Sequence, residues 1–260
     1  MIAALLAAGV TAALLYRGGP RDDVSAYIEQ VNESQRAFST RYGSIDRTFR
    51  EFRLSSEAAE KQLPQLQEAA RTMTQVRLKI ERLDAPKEAV TLRSRLLAFL
   101  RQEEAVANEL VDVARYMPKL RDAEAPLAAA SRRLRAALRG GASIEAQGAA
   151  VKRYAAELRA VAAKLDEVAA PPLLEPSRRS YAVQLREYAS ASEALQRGIR
   201  TNDQLAVDNA VRRMQQAASS PPGTFRAQQE AIKAYNERVK KIRALAVAVE
   251  KERQRLEREL

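Results

Sequence analysis

The side chains best suited to recognition chemistry in this sequence are clustered arginines and lysines. Neighbouring cations on a helix create a local positive potential that attracts anionic surfaces and polymers. A basic cluster is equally typical of an ordinary solvated helix face, so both interpretations stay open. The clusters are Arg132-Arg133 with Arg135, Arg178-Arg179, Arg212-Arg213, and Lys240-Lys241 with Arg243. We predict contacts to an anionic surface at Arg132, Arg133, Arg135, Arg212, Arg213, Lys240, Lys241 and Arg243.

The whole chain is basic as well. Its 260 residues include 44 Lys and Arg against 33 Asp and Glu, which gives a formal net charge of +11. Such a surplus favours an anionic partner, which is lipid, cell-wall polymer or nucleic acid. Single-stranded nucleic acid is usually bound by aromatic side chains interleaved with basic ones, and the basic clusters lack that pattern. Nucleic acid is therefore the less favoured partner.

Residues that perform catalysis are poorly represented. The sequence contains no Cys, no His and no Trp, which excludes disulfides, Cys/His zinc sites, thiol nucleophiles and histidine bases. It has no glycine-rich phosphate loop and no dinucleotide-binding fingerprint. Carboxylate pairs such as Glu103-Glu104 lie among arginines and lysines, where surface ion pairing explains them. We predict no enzyme activity, no cofactor and no metal ligand.

The basic clusters are expected on helices, because the pattern of the whole chain is helical. Ala, Leu, Glu and Arg dominate, glycine is scarce at 9 residues, and apolar residues recur at spacings of three and four. The predicted fold class is all-α, an antiparallel bundle of about eight amphipathic helices. Breaks between helices are predicted at Asp84-Ala85-Pro86, Pro118, Gly140-Gly141, Pro171–Pro176 and Ser219–Gly223. Predicted helix caps are Ser143, Thr224, and either Thr201 or Asn202.

A repeated segment indicates how these helices are organised. KIERLDAP from Lys79 aligns with KLDEVAAP from Lys164, an offset of 85 residues (79 to 164), and the apolar stripes on either side align with it. We predict a duplicated three-helix unit, with repeats at 57–139 and 143–218 between long flanking helices at 23–53 and 224–260. Two closed four-helix bundles that divide near Gly140-Gly141 are the alternative.

The N-terminal segment is strongly apolar. Ile2 to Tyr16 reads IAALLAAGVTAALLY, and Arg17 follows it. Such a helix rises about 22 Å, short of the roughly 30 Å hydrocarbon core, and snorkelling by Arg17 narrows the gap. We predict a transmembrane or signal-anchor helix at 1–17 ahead of a bundle at 22–260. A cleaved signal peptide and a soluble core helix are the alternatives, and the flanking charges leave the orientation open.

These features lead to one hypothesis of function and two alternatives. The first is a membrane-anchored, non-enzymatic helical bundle with a structural, adaptor or interaction role at the bacterial cell envelope, the bulk of the chain lying outside the cytoplasm. Its contacts are partner helices or an anionic surface. The first alternative is a ligand-binding or sensory module in which Tyr181, Tyr188 and Tyr235 supply polar groups inside a pocket. The second is a basic coiled-coil protein that contacts nucleic acid.

Overall fold

The computed structural model describes residues 23–34, 56–139, 143–219 and 221–259. All regular structure in this part of the chain is helical, and it contains no strand, which confirms the predicted all-α class. The predicted anchor at 1–17 lies outside the described residues, as does the 35–53 portion of the predicted first helix. No helix within the described ranges is long and apolar enough to cross a membrane.

Seven α-helices occupy the described residues, where about eight were expected over the whole chain. We number them in chain order, and a short 3₁₀ turn at Lys87–Ala89 precedes the third. The helices are α1 at 23–34, α2 at Ser56–Arg82, α3 at Val90–Arg139, α4 at Ile144–Glu167, α5 at Glu175–Thr201, α6 at Gln204–Ser219 and α7 at Pro221–Glu259.

The predicted break at Pro118 is wrong, because α3 runs through both Pro118 and Pro126. A proline inside a helix cannot donate to the carbonyl one turn earlier and is expected to cost about 3 kcal/mol. Apolar residues are buried on both sides of it, with Val113 and Tyr116 before the proline and Ala123 after it. Burial of these side chains offsets the lost hydrogen bond, so tertiary packing overrides the local signal. The two helices predicted on either side of Pro118 are therefore one.

The ends of the later helices differ in detail from the predicted caps. Ser143 is confirmed as the N-cap of α4, since its hydroxyl accepts a 3.3 Å hydrogen bond from the Ala146 amide. The cap of α6 is neither Thr201 nor Asn202, because the Asp203 carboxylate accepts from the Ala206 amide at 3.0 Å. Asn202 instead ends α5 in the left-handed conformation, with φ at 52°.

The predicted linker at Ser219–Gly223 is also wrong. Helix α6 continues to Ser219, and α7 already begins at Pro221, so Thr224 lies inside a helix rather than at its cap. A proline in the first turn of a helix needs no intrahelical donor, and consecutive prolines followed by glycine are compatible with a helix start. The Ser219–Gly223 sequence therefore indicated the correct boundary between two helices, but the connection between them is shorter than predicted.

The chain divides into two compact units, and the division falls inside α3 rather than near Gly140-Gly141. The first unit holds the described residues up to Ala114 and those from Ala234 onward. Its apolar core joins α1, α2, the first part of α3 and the end of α7, so the last helix packs back on the bundle. Core side chains are Val24, Ile28, Val31, Ile80, Leu92, Leu96, Phe99, Leu100, Ile242, Val249 and Leu256.

The second unit, residues 115–233, is built on small side chains. Alanines from α4 and α5 are fully buried where these two helices meet, and larger aliphatic side chains of both helices complete the core. Small residues let two helix axes approach closely, which is why α5 packs tightly against α4. The alanines are Ala155, Ala162, Ala182 and Ala189, and the larger side chains are Leu158, Val161, Leu165 and Leu185.

The duplication of a three-helix unit stays a prediction. Over the predicted repeats the structure has two helices, α2 and α3, in the first and three helices, α4 to α6, in the second. The turn after α2 and the turn after α4 both end in the shared Ala-Pro sequence, at Pro86 and Pro171.

Candidate binding surface

The basic cluster at the end of α3 is exposed to solvent. Arg132, Arg133 and Arg135 all lie on the outside of the second unit, as predicted for a surface cluster. Arg133 lies 3.5 Å from the Glu157 carboxylate of α4, and the Arg135 guanidinium donates to the Ser131 carbonyl at 3.3 Å. Contacts of this exposed kind are weak, so the guanidinium groups stay accessible to another anion.

The cluster on α6 is equally open. Arg212 and Arg213 are both exposed. Arg212 donates to the Asn209 side-chain oxygen at 2.5 Å, and Arg213 reaches the Ser190 hydroxyl of α5 at 3.4 Å. Neither contact neutralises the positive charge, because each acceptor is uncharged. Both arginines therefore add to the positive potential of the second unit.

The cluster on α7 belongs to the first unit and is mixed in character. Lys240 is exposed and pairs with Glu237 on its own helix at 2.7 Å, and Lys241 is exposed too. Arg243 is only partly exposed, and its Nε is buried with no hydrogen-bond acceptor. The two lysines therefore fit the predicted surface better than Arg243 does.

Arg178, the first residue of the remaining basic pair, is a structural residue rather than a surface contact. Its side chain is only 10% exposed and ties the α4–α5 turn together. The guanidinium donates to both carboxylate oxygens of Glu175, to the Leu165 carbonyl at 2.8 Å and to Asp166 at 3.2 Å. Hydrogen bonds from Arg178, strengthened by Arg179, lower the pKa of Glu175 to about 2. Two adjacent arginines in the sequence do not reveal that the Arg178 side chain is mostly buried.

In several ion pairs between helices of the same unit, the carboxylate is buried more deeply than the guanidinium. Glu252 of α7 keeps 7% of its side-chain surface exposed while its partner Arg95 of α3 keeps 41%, and Glu109 keeps 10% while Arg238 keeps 43%. The same order holds in Arg101–Glu81, Arg133–Glu157 and Arg159–Glu193, and it is reversed in Arg178–Asp166. The five pairs of the first kind therefore place a guanidinium in solvent although it is paired.

Sequence reasoning missed these outward arginines. Arg95 and Arg159 belong to none of the named clusters, and Arg238 lies two residues before the cluster on α7 without being counted in it. Their role depends on carboxylates from other helices, and a single sequence gives no signal for such pairings. The named clusters hold only ten of the 44 Lys and Arg, so the cluster pattern left most of the cations unassigned.

Two of the tyrosines proposed as ligand handles do come together in the second unit. Tyr181 and Tyr188 of α5 pack on its core with Tyr154 of α4, while the side chain of Tyr235 lies outside the described residues. The rings of Tyr154 and Tyr188 meet edge to face with centroids 6.0 Å apart, a geometry typical of core packing. The two rings therefore contact each other as part of the core of the second unit.

Tyr181 brings a carboxylic acid into this cluster. Burial raises the pKa of Glu124 of α3, and a hydrogen bond from the Tyr181 hydroxyl partly opposes that rise. Burial, together with the neighbouring Glu124 charge, raises the pKa of Tyr181 to about 12. Glu124 looked like one more surface carboxylate in the sequence. Glu124 is instead the carboxyl group of the described residues whose pKa is raised by burial.

The described residues contain no group of three or more acidic side chains placed to hold a metal ion. Comparison with protein-family models, with curated proteins and with solved structures finds no match to the chain. Any statement about function therefore has to rest on the charges, burial and contacts of the chain's own residues.

Proposed function

We propose that the chain is a membrane-anchored, non-enzymatic helical bundle that acts as an adaptor at the bacterial cell envelope by presenting a basic surface to an anionic partner. The observation that supports it is a set of five ion pairs between helices that bury the carboxylate more deeply than the guanidinium, as in Arg95–Glu252. Together with the exposed clusters at 132–135 and 212–213, these outward guanidiniums offer positive charge to an anionic partner.

The character of the cores supports an adaptor over an enzyme or a chamber for an apolar ligand. Fully buried alanines hold α4 and α5 close together, and the tyrosines of the second unit pack on one another. Some polar groups of the described interior are joined to partners on neighbouring helices, as Thr74 and Arg77 are to Glu104 at 2.6 and 2.5 Å. Rigid bundles of this kind are suited to holding a surface in a fixed arrangement.

Membrane anchoring is the part of this proposal that a fractionation experiment tests. The full chain and a chain lacking 1–17 are expressed separately, and membranes are washed at high salt and at alkaline pH. We expect the full chain to stay in the washed membranes and the shortened chain to leave them. Recovery of the full chain mainly in the soluble cytosolic fraction would rule out the anchor and the envelope location with it.

A nucleic-acid partner is the second candidate, and the exposed arginines are the observation that favours it. Duplex DNA binding would depend steeply on salt, because phosphate contacts release counterions. A gel-shift titration of the full chain in neutral detergent separates the two candidates. A salt-dependent shift stronger than binding to anionic lipid favours nucleic acid, and the absence of a shift removes that candidate.

A further inference from the structure

A groove between α5 and α6 in the second unit has the size of a small-molecule site. Its volume is about 380 Å³, and it is open to solvent on one side. This volume is at the lower end of the range in which small ligands are bound. The polar residues that line it are Arg197, Thr201, Asp203, Asn209 and Arg213, and alanines with Gly198 provide the rest of the wall.

The groove follows from how the two helices are joined. Gly198 lies where α5 and α6 approach most closely, since a Cβ there would lie 3.0 Å from both the backbone nitrogen and a methyl group of Val207. Asn202 turns the chain in the left-handed conformation, and Asp203 then caps α6 through the Ala206 amide. Ala194, Ala206 and Ala210 line the groove next to this contact, and their short side chains leave the space between the helices unfilled.

The positive charges that border the groove are not neutralised by ion pairs with the described residues. Arg197 forms no ion pair and no side-chain hydrogen bond within the described part of the chain. Among the described residues, the hydrogen-bond partner of Arg213 is the neutral Ser190 hydroxyl, at 3.4 Å. The carboxylate in the lining, Asp203, is instead partly occupied by its cap to α6. Two guanidiniums thus border the groove, and each keeps donors for an additional acceptor.

We propose that this groove binds a small oxyanion, a carboxylate or phosphate group carried on a compact polar body. The planar guanidinium groups of Arg197 and Arg213 suit bidentate contacts to carboxylate or phosphate oxygens. The Asn209 side-chain oxygen accepts from Arg212, which leaves its amide nitrogen as a further donor. No aromatic ring lines the groove, so the body of the ligand is polar rather than apolar.

This inference is independent of the proposed adaptor role, since a small-ligand site requires neither a membrane nor an extended anionic surface. Its test is calorimetric titration of the full chain in neutral detergent with inorganic phosphate and, separately, with malonate. We expect saturable binding of at least one of them at one site per chain. Tighter binding of phosphate identifies a phosphoryl ligand, and tighter binding of malonate identifies a carboxylate.

One double variant and its matched control test whether the anion binds in the groove. Replacing both arginines, R197Q/R213Q, is expected to weaken binding at least tenfold. The matched control R153Q/R200Q removes the same charge from exposed arginines that do not line the groove, and binding stays within about twofold of the unmodified chain. An equal loss in both double variants, or no saturable binding of either probe, would overturn the proposal.

A third variant separates the groove from the basic surface. Ala206→Leu fills the groove without changing any charge, so it is expected to weaken phosphate or malonate binding at least tenfold. The same variant keeps its recruitment of anionic vesicles, because the outward arginines are untouched. Unchanged small-anion binding in Ala206→Leu contradicts the groove. Loss of vesicle recruitment when Arg132, Arg133, Arg135 and Arg212 are replaced by glutamine bears on the adaptor role and not on the groove. Circular dichroism melts confirm that each variant remains folded.

Discussion

Arg95 of α3 and Glu252 of α7 lie 3.3 Å apart in an ion pair whose carboxylate is buried and whose guanidinium is half in solvent. Arg95 also donates to the Ala248 carbonyl at 3.1 Å, and Arg255 donates to the other carboxylate oxygen of Glu252 at 2.7 and 3.0 Å. The pair fastens the last helix to the first unit while it keeps positive charge on the outside. This arrangement connects the fold to the basic surface.

The asymmetric burial of this pair predicts unequal costs for removing its two members. Arg95→Gln leaves a buried carboxylate with one arginine fewer, so we expect the free energy of unfolding to fall by about 2 kcal/mol. Glu252→Gln leaves arginines that can turn into solvent, and we expect a loss of about 1 kcal/mol. Urea denaturation of the full chain measures both. A larger loss in Glu252→Gln than in Arg95→Gln would show that the carboxylate is not the buried partner.

Glu175 predicts how the second unit responds to acid. Hydrogen bonds from Arg178 lower its pKa to about 2, below the ordinary value near 4.5 that it recovers on unfolding. A lowered folded-state pKa stabilises the fold above pH 4.5, and that stability is lost as the pH falls toward 2. Glu175→Gln removes this contribution, so its deficit in melting temperature at pH 6 is expected to shrink at pH 3. A deficit that is equal at both pH values contradicts the assignment.

Glu124 predicts the opposite dependence. Burial raises its pKa, so the folded state holds the proton more tightly than the unfolded chain does. Such a group stabilises the fold below its unfolded-state pKa, and the contribution is lost as the pH rises through the folded-state pKa. Glu124→Gln keeps an acceptor for the Tyr181 hydroxyl and has no charge to bury. Its melting temperature relative to the unmodified chain is therefore expected to rise between pH 4 and pH 7.5, and a fall would be inconsistent with a buried carboxyl.

Gly198 of α5 and Gly148 of α4 predict substitutions of opposite sign. Gly198→Ala places a Cβ 3.0 Å from the Val207 backbone, so we expect a loss of about 1–3 kcal/mol. Gly148→Ala, its control in α4, places a Cβ 3.7 Å from the flexible Gln196 side chain, an ordinary contact. Alanine is the better helix former, and we expect a gain of about 0.5–1 kcal/mol there. Chemical denaturation of both variants measures these changes in the free energy of unfolding. A stabilising Gly198→Ala would mean that α5 and α6 are not in close contact at this point.

The apolar stripes could be predicted from the sequence because each depends on local periodicity. Leu66, Met73 and Ile80 of α2 are fully buried, as their spacing predicts. Ile144 lies seven residues before the buried Val151, a spacing that predicts the same apolar face, but it is 65% exposed because it is the first residue of α4. The continuity of α3 through Pro118 was not predictable either, since it depends on burial supplied by other helices.

The candidate site was predictable only in part. Arg132, Arg133, Arg212 and Arg213 were found as clusters and are exposed. The groove was not foreseen, because Arg197 and Arg213 belong to different helices that a turn at Asn202 brings together. Nothing in the local pattern of a single helix encodes a space between two of them.

Recruitment of anionic vesicles tests the proposed adaptor role most directly. The full chain is reconstituted in phosphatidylcholine vesicles, and phosphatidylglycerol vesicles are added at rising salt. The variant carries glutamine at Arg132, Arg133, Arg135 and Arg212, and the control carries it at four exposed cations outside the clusters, Lys152, Arg153, Arg200 and Arg258. We expect recruitment that falls steeply with salt and is lost at least tenfold more in the variant than in the control. Recruitment that is absent, insensitive to salt, or equally reduced in both would contradict the account.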